Sequence, residues 1–172
     1  MHHIEIKKAG IADLKIIQVL GRQTFYESFS AENTAENMQR YLDENFSTEK
    51  LSQELNNPDS AFYLAHLAND AIGYIKVNTG EAQTELKNKQ AMELERIYVS
   101  RQFQGKQIGK LLFDKALQLA IEMKAPYLWL GVWERNTKAI QFYKKNGLVE
   151  FDKHIFNLGD DEQTDLLMKM DL

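Results

Sequence analysis

The sequence predicts an α/β domain organised around a central sheet, and three observations carry that prediction. Helix-like and strand-like segments interleave: helices first, then a hairpin, then strand–helix–strand–helix–strand–strand. There is no internal repeat and no low-complexity linker, so residues 1–172 read as one domain. A chain of 172 residues also buries a real core without disulfides or metals.

Each element has a local reason. "HIEIKKA" alternates as a first strand should. "IADLKIIQVLGRQTFYESF" sets Leu14, Ile17, Leu20 or Gly21, and Phe25 at helical spacing. "TAENMQRYLDENF" is a second helix, and "STEKLSQELNN" a short third, with Ser47 as N-cap and Pro58 closing it. "AFYLAHLANDAIGYIKVNTG" reads as a hairpin turning at Asn69–Asp70. "EAQTELKNKQ" is a polar loop and "AMELERIYVS" a strand. The following helix ends near Met123, with Ile108, Leu111, Leu112, Ala116, Leu119, Ala120 and Met123 on its packed stripe. "APYLWLGVW" holds an apolar run of buried-strand length. "NTKAIQFYKKNG" is a helix stopped at Gly147, and "LVEFDKHIFNL" and "TDLLMKM" complete the sheet.

Composition narrows the chemistry. The absence of cysteine excludes disulfides, thiolate metal sites and a cysteine nucleophile. The start, "MHHIEIKKAG", lacks the apolar core of a signal peptide, so the expected location is the cytoplasm. The apolar runs fall far short of the roughly 20 residues of a membrane span. A net charge of −4 argues against nucleic acid as the main partner and suits a cationic ligand. The four histidines, His2, His3, His66 and His154, show no metal-site spacing, so no metal is expected.

Two constellations point to a site. In "RQFQGKQIGKLLFDKAL" a strand ending at Val99 runs into residues 104–110, with Gly105 and Gly109 at the mouth of a helix. The first amides of a helix have no internal partners and carry the positive end of its dipole, so this segment suits an anion, with Lys106 or Lys110 adding charge. It matches neither G-x-G-x-x-G nor the nucleoside-triphosphate loop, and a plain strand–helix turn remains the alternative. In "NTKAIQFYKKNG" Asn136 is a natural N-cap, and Tyr143 lies seven residues on, nearly two turns, so both project on one side. An ordinary half-buried tyrosine is the alternative for Tyr143.

"ERIYVSRQFQGKQIGKLLFDKAL" followed by "LWLGVWERNTKAIQFYKKNGL" resembles the two central motifs of the GCN5-related N-acetyltransferase (GNAT) superfamily. Through "LERIYV", "LGVWERN" and "DEQTDLLM" the whole chain is further similar to the PaiA-type spermidine/spermine acetyltransferases. The resemblance implies a single-domain GNAT fold, with a mixed, mostly antiparallel sheet flanked by helices, and acetyl-CoA as cosubstrate. It maps the pyrophosphate loop to Gln104, Gly105, Lys106, Gln107, Ile108 and Gly109, continuing to Lys110, with Gln107 standing where the family has its first glycine. It implies that Ile97, Tyr98 and Val99 offer backbone groups to the pantetheine arm, as an added strand would. Asn136 corresponds to the asparagine at the pantetheine end of the cofactor, and Tyr143 to the tyrosine near the thioester sulfur.

The implied chemistry has two proton jobs. An alkyl amine resembles lysine, with a pKa near 10.4, so removing its proton at neutral pH costs on the order of 4 kcal/mol. Glu93 and Glu95 on "MELERIYV" are the candidate bases; equal parity puts both on one side of the sheet unless a bulge intervenes, and a solvated strand edge is the alternative for each. Tyr143 is the candidate acid for the departing thiolate. Direct transfer in a ternary complex to a polyamine is the expected reaction. Another small amine, a peptide N-terminus, or a coenzyme A-binding module without turnover are the alternatives. Tyr26, Glu27, Glu32 and Tyr41 are candidates for the acceptor site, Trp129 and Trp133 for core or cleft wall, and "GDDEQTD" for a solvated loop. A homodimer is considered, although the sequence does not specify oligomeric state.

Overall fold

The computed structural model describes residues 3–85 and 88–172, so His2 and residues 86–87 of the polar loop lie outside the described residues. The chain runs β1 (Ile4–Lys8), α1 (Leu14–Phe29), α2 (Ala35–Asn45), α3 (Thr48–Asn56), β2 (Ser60–Leu67), β3 (Asp70–Asn78), β4 (Met92–Val99), α4 (Ile108–Glu122), β5 (Tyr127–Trp133), α5 (Thr137–Lys145), β6 (Val149–Leu158) and β7 (Asp161–Asp171). The strands form one sheet in the order β1-β2-β3-β4-β5-β7-β6. Every neighbouring pair is antiparallel except β4–β5. This is the mixed, mostly antiparallel sheet expected for the GNAT fold.

Helices cover both faces. On one, α1–α3 bury Ile17, Leu20, Phe25, Met38, Leu42, Phe46 and Leu51 against Phe62, Leu64 and Tyr74 of the sheet. On the other, α4 and α5 bury Leu112, Phe113, Ala116, Ala120, Ile140 and Tyr143 against Ile75, Leu94, Leu128 and Leu130. Burying large apolar side chains contributes roughly 1.5–3 kcal/mol each, which outweighs the modest propensity of the short helices. Caps set the helix starts: Thr34 and Ser47 accept from the amides of Asn37 and Lys50, both at 3.1 Å.

Three expectations shift. The β2–β3 turn is Ala68–Asn69, with Ala68 at φ 54°, and Asp70 already belongs to β3. On α4, Leu111 and Met123 are exposed, and Phe113 takes the buried row instead. The acidic stretch "GDDEQTD" is a turn only at Gly159–Asp160: β7 begins at Asp161, with Asp161 and Glu162 exposed, while Gln163 and Asp165 line the cleft.

The central strands create the opening. β4 and β5 pair only at Met92↔Leu128 and Glu93↔Trp129, then diverge. On its other side β4 stays paired to β3, with a bulge: Lys76 faces Arg96 and Val77 faces Leu94, leaving Glu95 as the extra residue. The bulge reverses the strand's parity. Leu94 packs with the α4 core before it, Ile97 and Val99 do so after it, and Tyr98 turns to the α1–α3 side.

Candidate active site

The divergence of β4 from β5 opens a cleft of about 340 Å³. Its walls include Glu93 to Val99 of β4, Gln104, Trp129 and Gly131–Trp133 of β5, Asn136 and Tyr143 of α5, Tyr41 of α2, and His154 and Asp165 from β6 and β7. Beyond Glu93 the β5-facing backbone of β4 has no strand to bond. Buried backbone polar groups are almost always paired, so this edge is suited to an extended ligand carrying its own amides. Ile97, Tyr98 and Val99 lie along it.

At one end of that edge lies the start of α4. Its N-cap, Gln107, sits in the left-handed region at φ 67° and gives the helix no side-chain cap. The first backbone bond is from Leu111 N–H to the Gln107 carbonyl, so the amides of Ile108, Gly109 and Lys110 point out of the helix end. A Cβ built at Gly109 would meet nothing within 4 Å, so no packing within the chain requires a glycine there. Close approach of a ligand to the backbone would. Ile108 is buried in the α4 core and offers only its amide. Gly105 has φ 76°, and the Lys106 ammonium sits 5.5 Å from the Phe103 ring centroid. Lys110 pairs with Asp114 one turn on, so its charge is already engaged. The Gln104 side chain donates to the Val99 carbonyl at 3.1 Å, joining this loop to the end of β4.

At the other wall, Asn136 caps α5, accepting from Ala139 N–H at 3.2 Å. The far end of α5 closes with Leu148 N–H to the Tyr143 carbonyl at 3.0 Å and Gly147 N–H to the Lys144 carbonyl at 3.1 Å, with Gly147 at φ 98°. That Schellman closure pins the backbone of Tyr143. Burial pushes the Tyr143 phenol well above its ordinary range, so it holds its proton at neutral pH.

Glu93 and Glu95 do face one side, because the bulge falls at Glu95 itself and not between them. Neither lies on a solvated edge. Glu93 is 3% exposed. Its Oε1 accepts from Asn78 Nδ2 at 2.9 Å and from Thr84 N–H at 2.8 Å, and its Oε2 accepts from the Thr84 hydroxyl. Burial raises its carboxyl above the ordinary value, against the hydrogen bonds from Asn78 and Thr84.

Glu95 lives in a different field. It pairs with Lys76, and it accepts from Asn78 Nδ2 at 3.1 Å. Glu54 completes a buried network, reaching Lys76 Nζ at 3.0 Å and both Nη atoms of Arg96 at 3.2 Å. Burial alone would raise the Glu95 carboxyl, but the charges of Arg96 and Lys76 and the hydrogen bonds outweigh it and hold it at about 2. Two carboxylates two residues apart thus differ sharply in basicity.

Of the acceptor-site candidates, Tyr41 alone lines the cleft, stacked on Phe25 at 4.3 Å. Tyr26 is exposed, Glu27 is occupied by Arg101, whose backbone amide it accepts at 3.2 Å, and Glu32 lies away from the cleft. Trp129 and Trp133 are cleft wall, with Trp129 Nε1–H donating to Gln83 at 2.7 Å. Sequence reasoning missed Asn78, Thr84 and the pair His154–Asp165. His154 Nδ1 lies 2.6 Å from Glu85, and its Nε2 lies 3.5 Å from Asp165. No spacing rule links these residues; the pairing of β6 with β7 sets His154 opposite Asp165, and Asn78 and Thr84 come from the end of β3 and the loop after it.

The acetyltransferase (GNAT) family model matches residues 22–148. An uncharacterized N-acetyltransferase of Lactobacillus delbrueckii subsp. lactis is 37% identical over 169 residues, covering 98% of each chain. The spermidine N(1)-acetyltransferase of Thermoplasma acidophilum is 27% identical over 170 residues, covering 96% of each. The crystal structure of the PaiA N-acetyltransferase from Thermoplasma acidophilum, in complex with coenzyme A, superposes with a TM-score of 0.81 at 25% identity over 99% of each chain. With that match over most of its length, and with its central strands parted beside an uncapped helix start, the chain belongs to the acetyltransferase (GNAT) family.

Proposed function

We propose that the protein transfers the acetyl group of acetyl-CoA to a primary amine of a polyamine such as spermidine, directly and within a ternary complex. The observation that carries this reading is the parted β4–β5 edge, which has amides at one end and, at the other, the Glu93 carboxylate held by neutral donors. Among the described residues, no lysine or arginine pairs with Glu93 or Asp165, so the cleft favours a cationic acceptor. The likeness to a spermidine N(1)-acetyltransferase supports the same acceptor class.

In this reading the pyrophosphate sits against the amides of residues 105–110, and the pantetheine arm pairs with Ile97–Val99 and reaches Asn136. Bound acetyl-CoA supplies an activated thioester. Glu93 is the base, because it is the carboxylate without a cationic partner; Glu95, held at about 2, is its fixed neighbour. The ammonium sheds two protons. One ends on Glu93 and leaves to solvent after turnover. The amine lone pair forms the C–N bond, the C–S bond breaks, and Tyr143 protonates the sulfur. The second proton from nitrogen restores Tyr143.

The test is acetyl-CoA-dependent thiol release with spermidine, spermine, a lysine peptide, an aminoglycoside and no acceptor. Saturable turnover with the polyamines, lost in Tyr143→Phe, is expected. Turnover with another amine alone would overturn the polyamine assignment, and tight coenzyme A binding without any turnover would leave a binding module.

A further inference from the structure

We propose that Thr84 is a catalytic residue whose hydroxyl relays the proton from the acceptor amine to Glu93. The inference rests on the assignment of Glu93 as base and explains how so enclosed a group can serve. Glu93 is 3% exposed, and its Oε1 is occupied by two donors, Asn78 Nδ2 and Thr84 N–H. The Oε2 atom meets one donor among the described residues, the hydroxyl of Thr84. Thr84 itself is exposed and lines the cleft. The Thr84 oxygen is thus placed to hand a proton from the cleft to Glu93 Oε2.

The relay conserves atoms and charge. The ammonium N–H passes its proton to a lone pair of Thr84 Oγ1 as the Oγ1–H proton passes to Glu93 Oε2. The hydroxyl is regenerated, the amine becomes neutral and nucleophilic, and Glu93 becomes a carboxylic acid. No oxidant, metal or second reactant enters.

The segment bearing Thr84 is anchored for this task. The neighbouring Gln83 is buried, accepts from Trp129 Nε1–H at 2.7 Å, and donates to the carbonyls of Gly80 at 3.2 Å and Asn88 at 3.0 Å. Trp129 pairs with Glu93 at the last rung before the strands part. On the far side Asn78 donates to both glutamates, and its Oδ1 accepts from Ser60 Oγ at 2.9 Å, which sets its amide with the donors toward the carboxylates. The hydroxyl and the carboxylate are thus both held at the reacting end of the cleft.

The experiment compares wild type, Thr84→Ser, Thr84→Val and Glu93→Gln, alone and with Thr84→Val, using acetyl-CoA and spermidine from pH 7 to pH 10. Thr84→Ser keeps the hydroxyl and is expected to retain at least about a third of kcat. Thr84→Val is expected to lose about a hundredfold in kcat, with both KM values within about threefold. Its deficit should narrow by about tenfold per pH unit toward the amine pKa near 10.4, because an already neutral amine needs no relay. Adding Thr84→Val to Glu93→Gln should cost nothing further, since the two act in one chain. A Thr84→Val deficit that is constant with pH, equal losses in Ser and Val, or additive losses with Glu93→Gln would each overturn the relay. Failure of the underlying reading shows separately, in the wild type: with another amine as substrate the series is read on that amine, and with no turnover at all both proposals fall.

Discussion

Replacing Glu95 by glutamine removes one charge from the buried network and keeps its shape. The Glu95 carboxyl stands at about 2 against an ordinary 4.5, a gap of about 2.5, because Arg96 and Lys76 more than offset its burial. That gap corresponds to about 3 kcal/mol of stability at pH 7, and somewhat less once the 21% of the side chain that reaches solvent is allowed for. The sign follows from a depressed folded-state value. The stabilisation is complete above the unfolded value of 4.5 and is lost as pH falls toward 2, with less than half remaining at pH 3. Glu95→Gln should therefore lower the urea midpoint at pH 7 by about 1–2 M, and the gap to wild type should more than halve at pH 3. Loss of a charge from a buried pair leaves Lys76 and Arg96 sharing Glu54 alone, which adds to the effect. A midpoint at pH 7 within about 0.2 M of wild type, or a deficit unchanged at pH 3, would refute the reasoning.

Glu93→Gln should behave oppositely. Burial raises its carboxyl, so holding the charge destabilises the fold above its ordinary range; the variant should match or exceed wild type in urea at pH 7 while kcat falls about 10²–10⁴-fold. Tyr143→Phe should reduce kcat by at least about tenfold with coenzyme A affinity, read by calorimetry, within about threefold. Gly109→Ala should leave the unliganded protein as stable or more so, since the added Cβ meets nothing, yet weaken coenzyme A binding by at least about tenfold. Gln107→Gly should gain about 0.5–1 kcal/mol, because relief of left-handed strain exceeds the added unfolded-state freedom; a loss of stability on urea titration would contradict it.

The elements were legible wherever one face of a segment is apolar and its ends carry a cap. Ser47, Asn136 and Gly147 act as their sequence contexts predict, because a cap works over three or four residues and needs no distant partner. The candidate site was legible where it depends on backbone: the start of α4 and the free edge of β4 are set by local chain geometry. What depends on tertiary closure was not. Lys76 and Arg96 sit in strands whose alternation admits polar residues facing solvent, and nothing in "YIKVN" or "LERIY" says that Glu54 of α3 will seal them in. The acidic start of β7 looks like a loop in the sequence because charged residues are depleted in strands, and its pairing with β6 from Asp161 onward overrides that preference.

The bulge at Glu95 is the clearest case of information that pattern alone withholds. Regular alternation puts Glu93 and Glu95 on one face, as observed, but would put Arg96 on the opposite face. The extra residue turns Arg96 back toward Glu54 and, with Lys76 from β3, surrounds one glutamate with cations while leaving the other to neutral donors. One inserted residue thereby splits the basicity of two otherwise equivalent carboxylates. The same kink comes just after the last β4–β5 rung, so the parting of the strands and the charge segregation fall at one place in β4. Deleting Glu95 should restore regular pairing with Leu94 and Ile97 on the α4 side and Arg96 still facing Glu54, removing bulge and charge together, whereas Glu95→Gln keeps the bulge and tests the charge alone.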